Sequence, residues 1–159
     1  MRSGHEIIAV NNSWELVPGC SHIFAADLTW WMKYHNWIGI GANRWTQSKT
    51  AHHRYGLKLF NPDTDGTFNS GQRAIQLAVH LGAGRVLLLG YDASLENGTH
   101  WHGEHPDGMH NPDVKEVTQW KKDFSLLNKI LPGVEIINCS RHTALTCFER
   151  KNLEAALIG

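Results

Sequence analysis

No stretch of this chain is apolar for long. The amino-terminal run EIIAV (6–10) ends at Asn11 and Asn12, far short of the ~20 apolar residues that cross a bilayer and short of the apolar core of a secretory signal. A membrane role is therefore not expected. Cysteine is scarce as well: Cys20, Cys139 and Cys147 are odd in number, far apart and set among apolar or small residues. This argues against a disulfide framework and for reduced core thiols in a cytoplasmic protein. Charge of one sign is lacking too, with 15 Lys plus Arg against 15 Asp plus Glu, and no run of Lys and Arg is longer than a pair such as Lys121-Lys122. With no net field toward a phosphate backbone, nucleic acid is not an expected partner. Repeats, low-complexity tracts and linkers are absent, so the 159 residues read as one domain over 1–159, large enough to bury a core unaided.

What is present is an alternation of apolar runs and amphipathic stretches. EIIAV (6–10), HIFAA (22–26), RVLLLG (85–90) and VEIIN (134–138) are apolar on both faces, the pattern of strands in a buried, mostly parallel sheet. Between them, Ala74, Leu77, Ala78 and Leu81 recur at i, i+3, i+4 and i+7, which predicts a crossover helix ended by Gly82 or Gly84. Val117, Trp120, Phe124, Leu127 and Leu131 predict a covering helix over 113–131, with Lys115, Glu116, Lys121, Lys122 and Asp123 on its other side and Pro132-Gly133 as the stop. Further helices are expected at DLTWWMKYHNW, capped by Asp27, and over 149–158. The order is α/β, with a single Rossmann-like domain as the expected fold. Residues 39–68 show no convincing period, and long irregular segments are often functional.

Ligands of open parallel sheets bind beyond the carboxyl ends of the strands. Here the runs end in Asn11-Asn12, Asp27, Gly90-Tyr91-Asp92 and Asn138-Cys139-Ser140, so these residues are candidates for one binding rim. The same residue types also cap helices and make turns, so each has a purely structural alternative. At the crossover helix, Asn69 or Ser70 is the expected cap and Gly71 leaves the first backbone N–H groups open to phosphate or carboxylate.

His100, His102, His105 and His110 fall within GTHWHGEHPDGMH (98–110). Three readings stand side by side. His100, His102 and His105 could ligate a divalent metal; one of them could act as a general base on a mobile lid; or the segment could be a loop pinned by Trp101 and its glycine and proline turns. Trp45 and Trp101, in irregular segments, are the tryptophans best placed to stack on a base or sugar.

The order of motifs, from IIAVNNSWELVPGCSHIFAADLTWWMKYH through RWTQ, NSGQRAIQLAVHLGAGRVLLLGYD and HWHGEHP to INCSRHTALTCF, resembles a group of uncharacterised phage and prophage proteins over nearly the whole chain. More distantly it resembles the bacterial sialyltransferases that use a CMP-activated sugar, and a related pterin-diphosphokinase-like Rossmann family of unknown function. The resemblance implies that Asn11 contacts a nucleotide and that Ser70 and Gly71 hold it, with Asn69 replacing the family's threonine. It also implies that Gly90-Tyr91-Asp92 lies beside the cytidine-sugar portion and that His102 or His105 serves as catalytic base. The chain departs from that family in two places. Met1 stands just before the strand that matches the family's second, so the resemblance implies no counterpart here to the family's first strand and its Gly-rich phosphate turn, and Ala93 and Ser94 replace the tyrosines that follow Gly-Ile-Asp.

The resulting expectation is a glycosyltransferase-like phage protein, located in the host cytoplasm, that binds a nucleotide or nucleotide-sugar. Asn11, Asn12, Asp27, Asn69, Ser70, Gly71 and Gly90 would position the ligand, with Asp92 and His100, His102 or His105 at the reaction. The alternatives are a non-catalytic nucleotide- or protein-binding accessory protein and a metal-dependent enzyme built on the 100–105 histidines. A sheet without its first strand leaves an edge that a second subunit could cover.

Overall fold

The computed structural model describes residues 4–39, 41–62, 69–92 and 114–159. These form a mixed α/β structure in which every described strand pairing is parallel. The contacts divide into two compact units, one holding the described residues up to 62 and the other those from 69 onward. Each unit has its own sheet, of four and three strands.

In the first unit β1 (Ile8–Val10) leads through a 3-10 turn (Asn11–Glu15) to β2 (His22–Phe24). α1 (Leu28–Tyr34) then carries the chain to β3 (Asn43–Thr46), and α2 (Lys49–Tyr55) to β4 (Lys58–Leu59). The strands lie in sequence order, β1-β2-β3-β4. Ala9, Ile23 and Ala25 pack with Trp30, Trp31 and Tyr34 of α1, Ala51 of α2 and Leu57. The alternate side chains of β2, His22 and Phe24, are also buried, as a central parallel strand requires. Burial of Trp31, at ~200 Å² and ~25 cal/mol per Å², contributes about 5 kcal/mol before conformational entropy is subtracted.

β3, α2 and β4 lie in the stretch that showed no period. The reason is local: Ala51 is the one fully buried side chain of α2, so no apolar stripe was there to be seen. The helix is instead defined by its ends, where Ser48 Oγ accepts from Ala51 N at 3.1 Å and Gly56 turns the chain at φ +64, a conformation that favours glycine.

In the second unit α3 (Ser70–His80) feeds β5 (Arg85–Leu88), and α4 (Val114–Ile130) precedes β6 (Glu135–Asn138), β7 (Glu149–Arg150) and α5 (Leu153–Ile158). The sheet order is β5-β6-β7. One face packs Leu88 and Ile136 against Ile75 of α3 and Phe124 and Leu127 of α4. The other packs Ile137 and Cys139 against Leu153 and Ala156 of α5. Residues 149–158, expected as one helix, are split: Glu149 and Arg150 pair with Ile137 and Asn138, and the helix starts only after Asn152, whose Oδ1 accepts from Ala155 N at 2.8 Å.

Asp123 is also placed differently than expected. It is buried rather than on the outer face of α4, and accepts from Gln119 Nε2 at 3.0 Å. Standing at i−4 from Leu127, it falls on the margin of the apolar stripe. The Val117 side chain lies outside the described set. All three cysteines are free thiols, and burial pushes each of them above its ordinary range. Among the described residues no helix is long and apolar enough to cross a membrane.

Candidate functional site

In a parallel sheet all strands end on one edge, so β5 and β6 deliver their polar termini side by side. At this edge the polar groups hold each other. Asn138, fully buried, accepts from Ser140 N at 3.1 Å and donates through Nδ2 to Thr143 Oγ1 at 3.1 Å. The Thr143 hydroxyl donates to the Tyr91 carbonyl at 2.6 Å, Tyr91 N–H donates to Ser140 Oγ at 2.8 Å, and Ala144 N–H donates to the Asp92 carbonyl at 2.8 Å. Arg150 Nη2 clasps the Ser140 carbonyl at 2.8 Å. The loop after β6 is thereby fastened to the loop after β5. Asp92, Arg141 and His142 remain, with side chains that make no hydrogen bond or ion pair to other described residues.

The start of α3 joins this network through Tyr91. Its hydroxyl donates to the Gly71 carbonyl at 3.1 Å, and a Cβ on Gly71 would stand 3.3 Å from the ring. The absent side chain at Gly71 therefore makes room for an aromatic ring of the protein itself. Burial drives the Tyr91 phenol far above its ordinary range, so it stays a neutral donor. Of the two expected caps, Asn69 and Ser70, it is Asn69 that caps α3, and the motif is a full capping box: Asn69 Oδ1 accepts from Gln72 N at 3.0 Å, while Gln72 Oε1 accepts from Asn69 N at 2.7 Å. Gly90, exposed at φ +74, makes the turn out of the β5 segment.

The first unit presents its own edge at the ends of β1, β2 and β3. Asn11 leaves β1 with φ +51, the one non-glycine residue at positive φ among those described. Asparagine tolerates that region better than most residues, and such positions cluster at ligand sites. Asn12 beside it is buried and committed to the fold, accepting from Trp30 Nε1 at 2.9 Å and donating to Glu15 Oε1 at 3.2 Å. Asp27 occupies the N-cap position of α1 as expected, but its side chain makes no cap hydrogen bond and is exposed. At the end of β3 the Thr46 hydroxyl donates to the Ala26 carbonyl at 3.2 Å and accepts from Ser48 N at 3.1 Å. Gln47, next to it, is half-buried. Asn11, Asp27 and Gln47 thus stand on three neighbouring strand ends, each with a side chain that makes no hydrogen bond to other described residues.

Sequence reasoning named Asn11 and Asp27 but not Gln47, although RWTQS ends a short strand in Thr-Gln-Ser as the other strands end in Asn, Asp or Ser. It also passed over Thr143, Arg141 and His142. Trp45 is corrected from a stacking candidate to a core residue: it is 9% exposed, its Nε1 donates to His22 Nδ1 at 3.1 Å, and Lys58 lies over its ring. His100, Trp101, His102, His105 and His110 lie outside the described residues. Among those that are described, no group of three His, Cys, Asp or Glu side chains is arranged to hold a metal ion.

No family model matches the chain, and neither do any curated proteins or solved structures.

Proposed function

We propose that the protein binds a nucleotide or nucleotide-sugar at the carboxyl ends of its parallel strands, in a glycosyltransferase-like manner. The observation that carries this reading is the trio Asn11, Asp27 and Gln47, three polar side chains on adjacent strand ends that the fold does not use. Two amides and a carboxylate suit a ligand rich in hydroxyls and ring nitrogens. An amide both donates and accepts, and an ionised carboxylate accepts from a sugar diol. A bare phosphate fits this trio poorly, because Asp27 would repel it. The nucleoside or sugar portion is therefore the part of the ligand assigned to this edge.

Sugar transfer is the activity such binding would serve. A histidine of the 100–105 segment would take the acceptor's proton, and the leaving nucleotide would carry away the phosphate charge. The motif order resembling the sialyltransferases favours this reading over a binding role alone.

The test is a thermal-shift and calorimetric screen against CMP, UDP, GDP and ADP and their sugars. Saturable binding of at least one, lost in Asp27→Asn and Gln47→Ala, is expected. A flat response to all of them, or binding unchanged in both variants, overturns the assignment. Nucleotide release from the bound sugar donor, abolished in His102→Ala or His105→Ala, would establish turnover; binding without release would leave a binding protein.

A further inference from the structure

Residues 28–62 contain Lys33, Arg44, Lys49, Arg54 and Lys58, and no aspartate or glutamate between Asp27 and Asp63. A chain neutral overall therefore concentrates positive charge in the segment that builds α1, β3, α2 and β4. Arg44 is committed inward, donating to the Ile38 carbonyl at 3.1 Å and the His35 carbonyl at 3.4 Å. Lys33, Lys49, Arg54 and Lys58 make no ion pair with any described residue.

These cations stand among rings. Lys33 Nζ lies 5.4 Å from the Tyr34 ring centroid and Arg54 5.9 Å from that of Tyr55. Tyr55, the last residue of α2, stacks on His35 just beyond α1 with centroids 4.2 Å apart, which brings the ends of the two helices together. Tyr34 in turn meets Trp37 edge-on at 5.3 Å. Trp37 itself is 62% exposed, and Met32 and His53 are exposed nearby in the chain.

Part of this has a local explanation, since a cation in the last turn of a helix is favoured by the helix dipole. That accounts for Lys33 and Arg54. It does not account for Lys49, which sits in the first turn of α2 where a cation is disfavoured. Nor does it account for an exposed indole or for the missing carboxylates. A surface of unpaired cations beside an exposed aromatic suits a ligand that offers both phosphates and stackable bases. A bilayer would want a broader apolar wedge than Trp37 and Met32 supply.

We propose that the adjoining carboxyl-terminal ends of α1 and α2, with Lys33, Trp37 and Arg54, and with Lys49 farther back along α2, bind single-stranded nucleic acid. This surface carries the local basic patch that the balanced overall charge concealed. It is separate from the nucleotide assignment above and does not depend on it.

Fluorescence anisotropy of the full chain with labelled oligonucleotides of roughly 15 nucleotides tests the proposal. Binding is expected, and it weakens by roughly 20-fold between about 50 and about 200 mM salt if about three phosphates are neutralised. Lys33→Glu with Arg54→Glu should weaken it at least about tenfold and Trp37→Ala by about fivefold or more, as loss of one stacking platform implies. Lys121→Glu with Lys122→Glu, on the exposed side of α4, should change it little. Neutral Lys33→Gln and Arg54→Gln variants, with far-UV spectra and melting matched to the parent, keep the result interpretable should charge reversal disturb folding. No binding at low salt overturns the proposal, as does equal loss in the α4 variant. Equally tight binding of a polyglutamate of similar length would assign the surface to an acidic protein instead, and preference for anionic vesicles would assign it to a membrane; either result also overturns it.

Discussion

At the ends of β5 and β6, Asn138, Ser140 and Thr143 hydrogen-bond to each other and to Tyr91, whereas at the ends of β1, β2 and β3 the side chains of Asn11, Asp27 and Gln47 bond to no described residue. The residue types are alike and the strand-end positions equivalent. What differs is whether a neighbouring loop bonds to those side chains: after β6 the chain returns through Thr143 and Ala144 to the β5 end, while at the β2 end Thr46 reaches only the Ala26 carbonyl and leaves the Asp27 side chain out. A polar side chain at a strand end is thus a structural clamp where a second loop bonds to it and a binding candidate where none does.

The largest effect is expected at the clamp. Asn138→Ala strands the buried Ser140 N–H and removes the donor to Thr143, so unfolding free energy in urea should fall by about 3 kcal/mol. A loss under about 1 kcal/mol would mean that the loop after β6 does not need this network. Asn12→Ala comes next. It leaves the buried Trp30 Nε1–H without its acceptor, and should cost about 2 kcal/mol.

Tyr91→Phe should cost about 1 kcal/mol at neutral pH by deleting the bond to Gly71. It also has a pH signature. The folded-state phenol is raised above its ordinary value of 10.0 by burial, so the stabilisation from keeping it neutral is complete below that value. It is lost as pH rises from there through the folded-state value, because the unfolded chain ionises first. The parent should therefore lose stability above about pH 10 more steeply than Tyr91→Phe; identical alkaline limbs would show that Tyr91 is not protected from solvent.

The smallest stability effect is expected at the other edge. Asp27→Asn and Gln47→Ala should stay within about 0.5 kcal/mol of the parent while removing the thermal shift by nucleotide or nucleotide-sugar. Destabilisation comparable to that of Asn138→Ala would mean that these side chains too serve the fold, and the contrast between the edges would collapse.

Much of the fold was legible because two periods carry it. The apolar runs at 6–10, 22–26, 85–90 and 134–138 became strands with somewhat shorter ends, and the stripe of Phe124 and Leu127 became the buried face of α4. β3 and α2 escaped notice because the only apolar residue of the four-residue strand is one tryptophan and the only buried residue of the seven-residue helix is one alanine. The site was legible in kind rather than in assignment. Asn11 and Asn12 are neighbours of the same type, yet Asn12 is committed to Trp30 of α1 and Asn11, at positive φ, is not. Gly71 was read as a gap for a ligand, and Tyr91, twenty residues away, fills it.

From the sequence alone came the class of the fold, because strand and helix periods are local properties of side-chain order, and the polar character of the strand ends, because turns and caps select Asn, Asp, Gly and Ser. The tertiary structure decided which of those polar groups are consumed. Hydrogen-bond satisfaction depends on what a distant segment brings within about 3 Å, as Thr143 does for the Tyr91 carbonyl and Tyr91 does for Gly71, and residue order along the chain does not encode that distance locally.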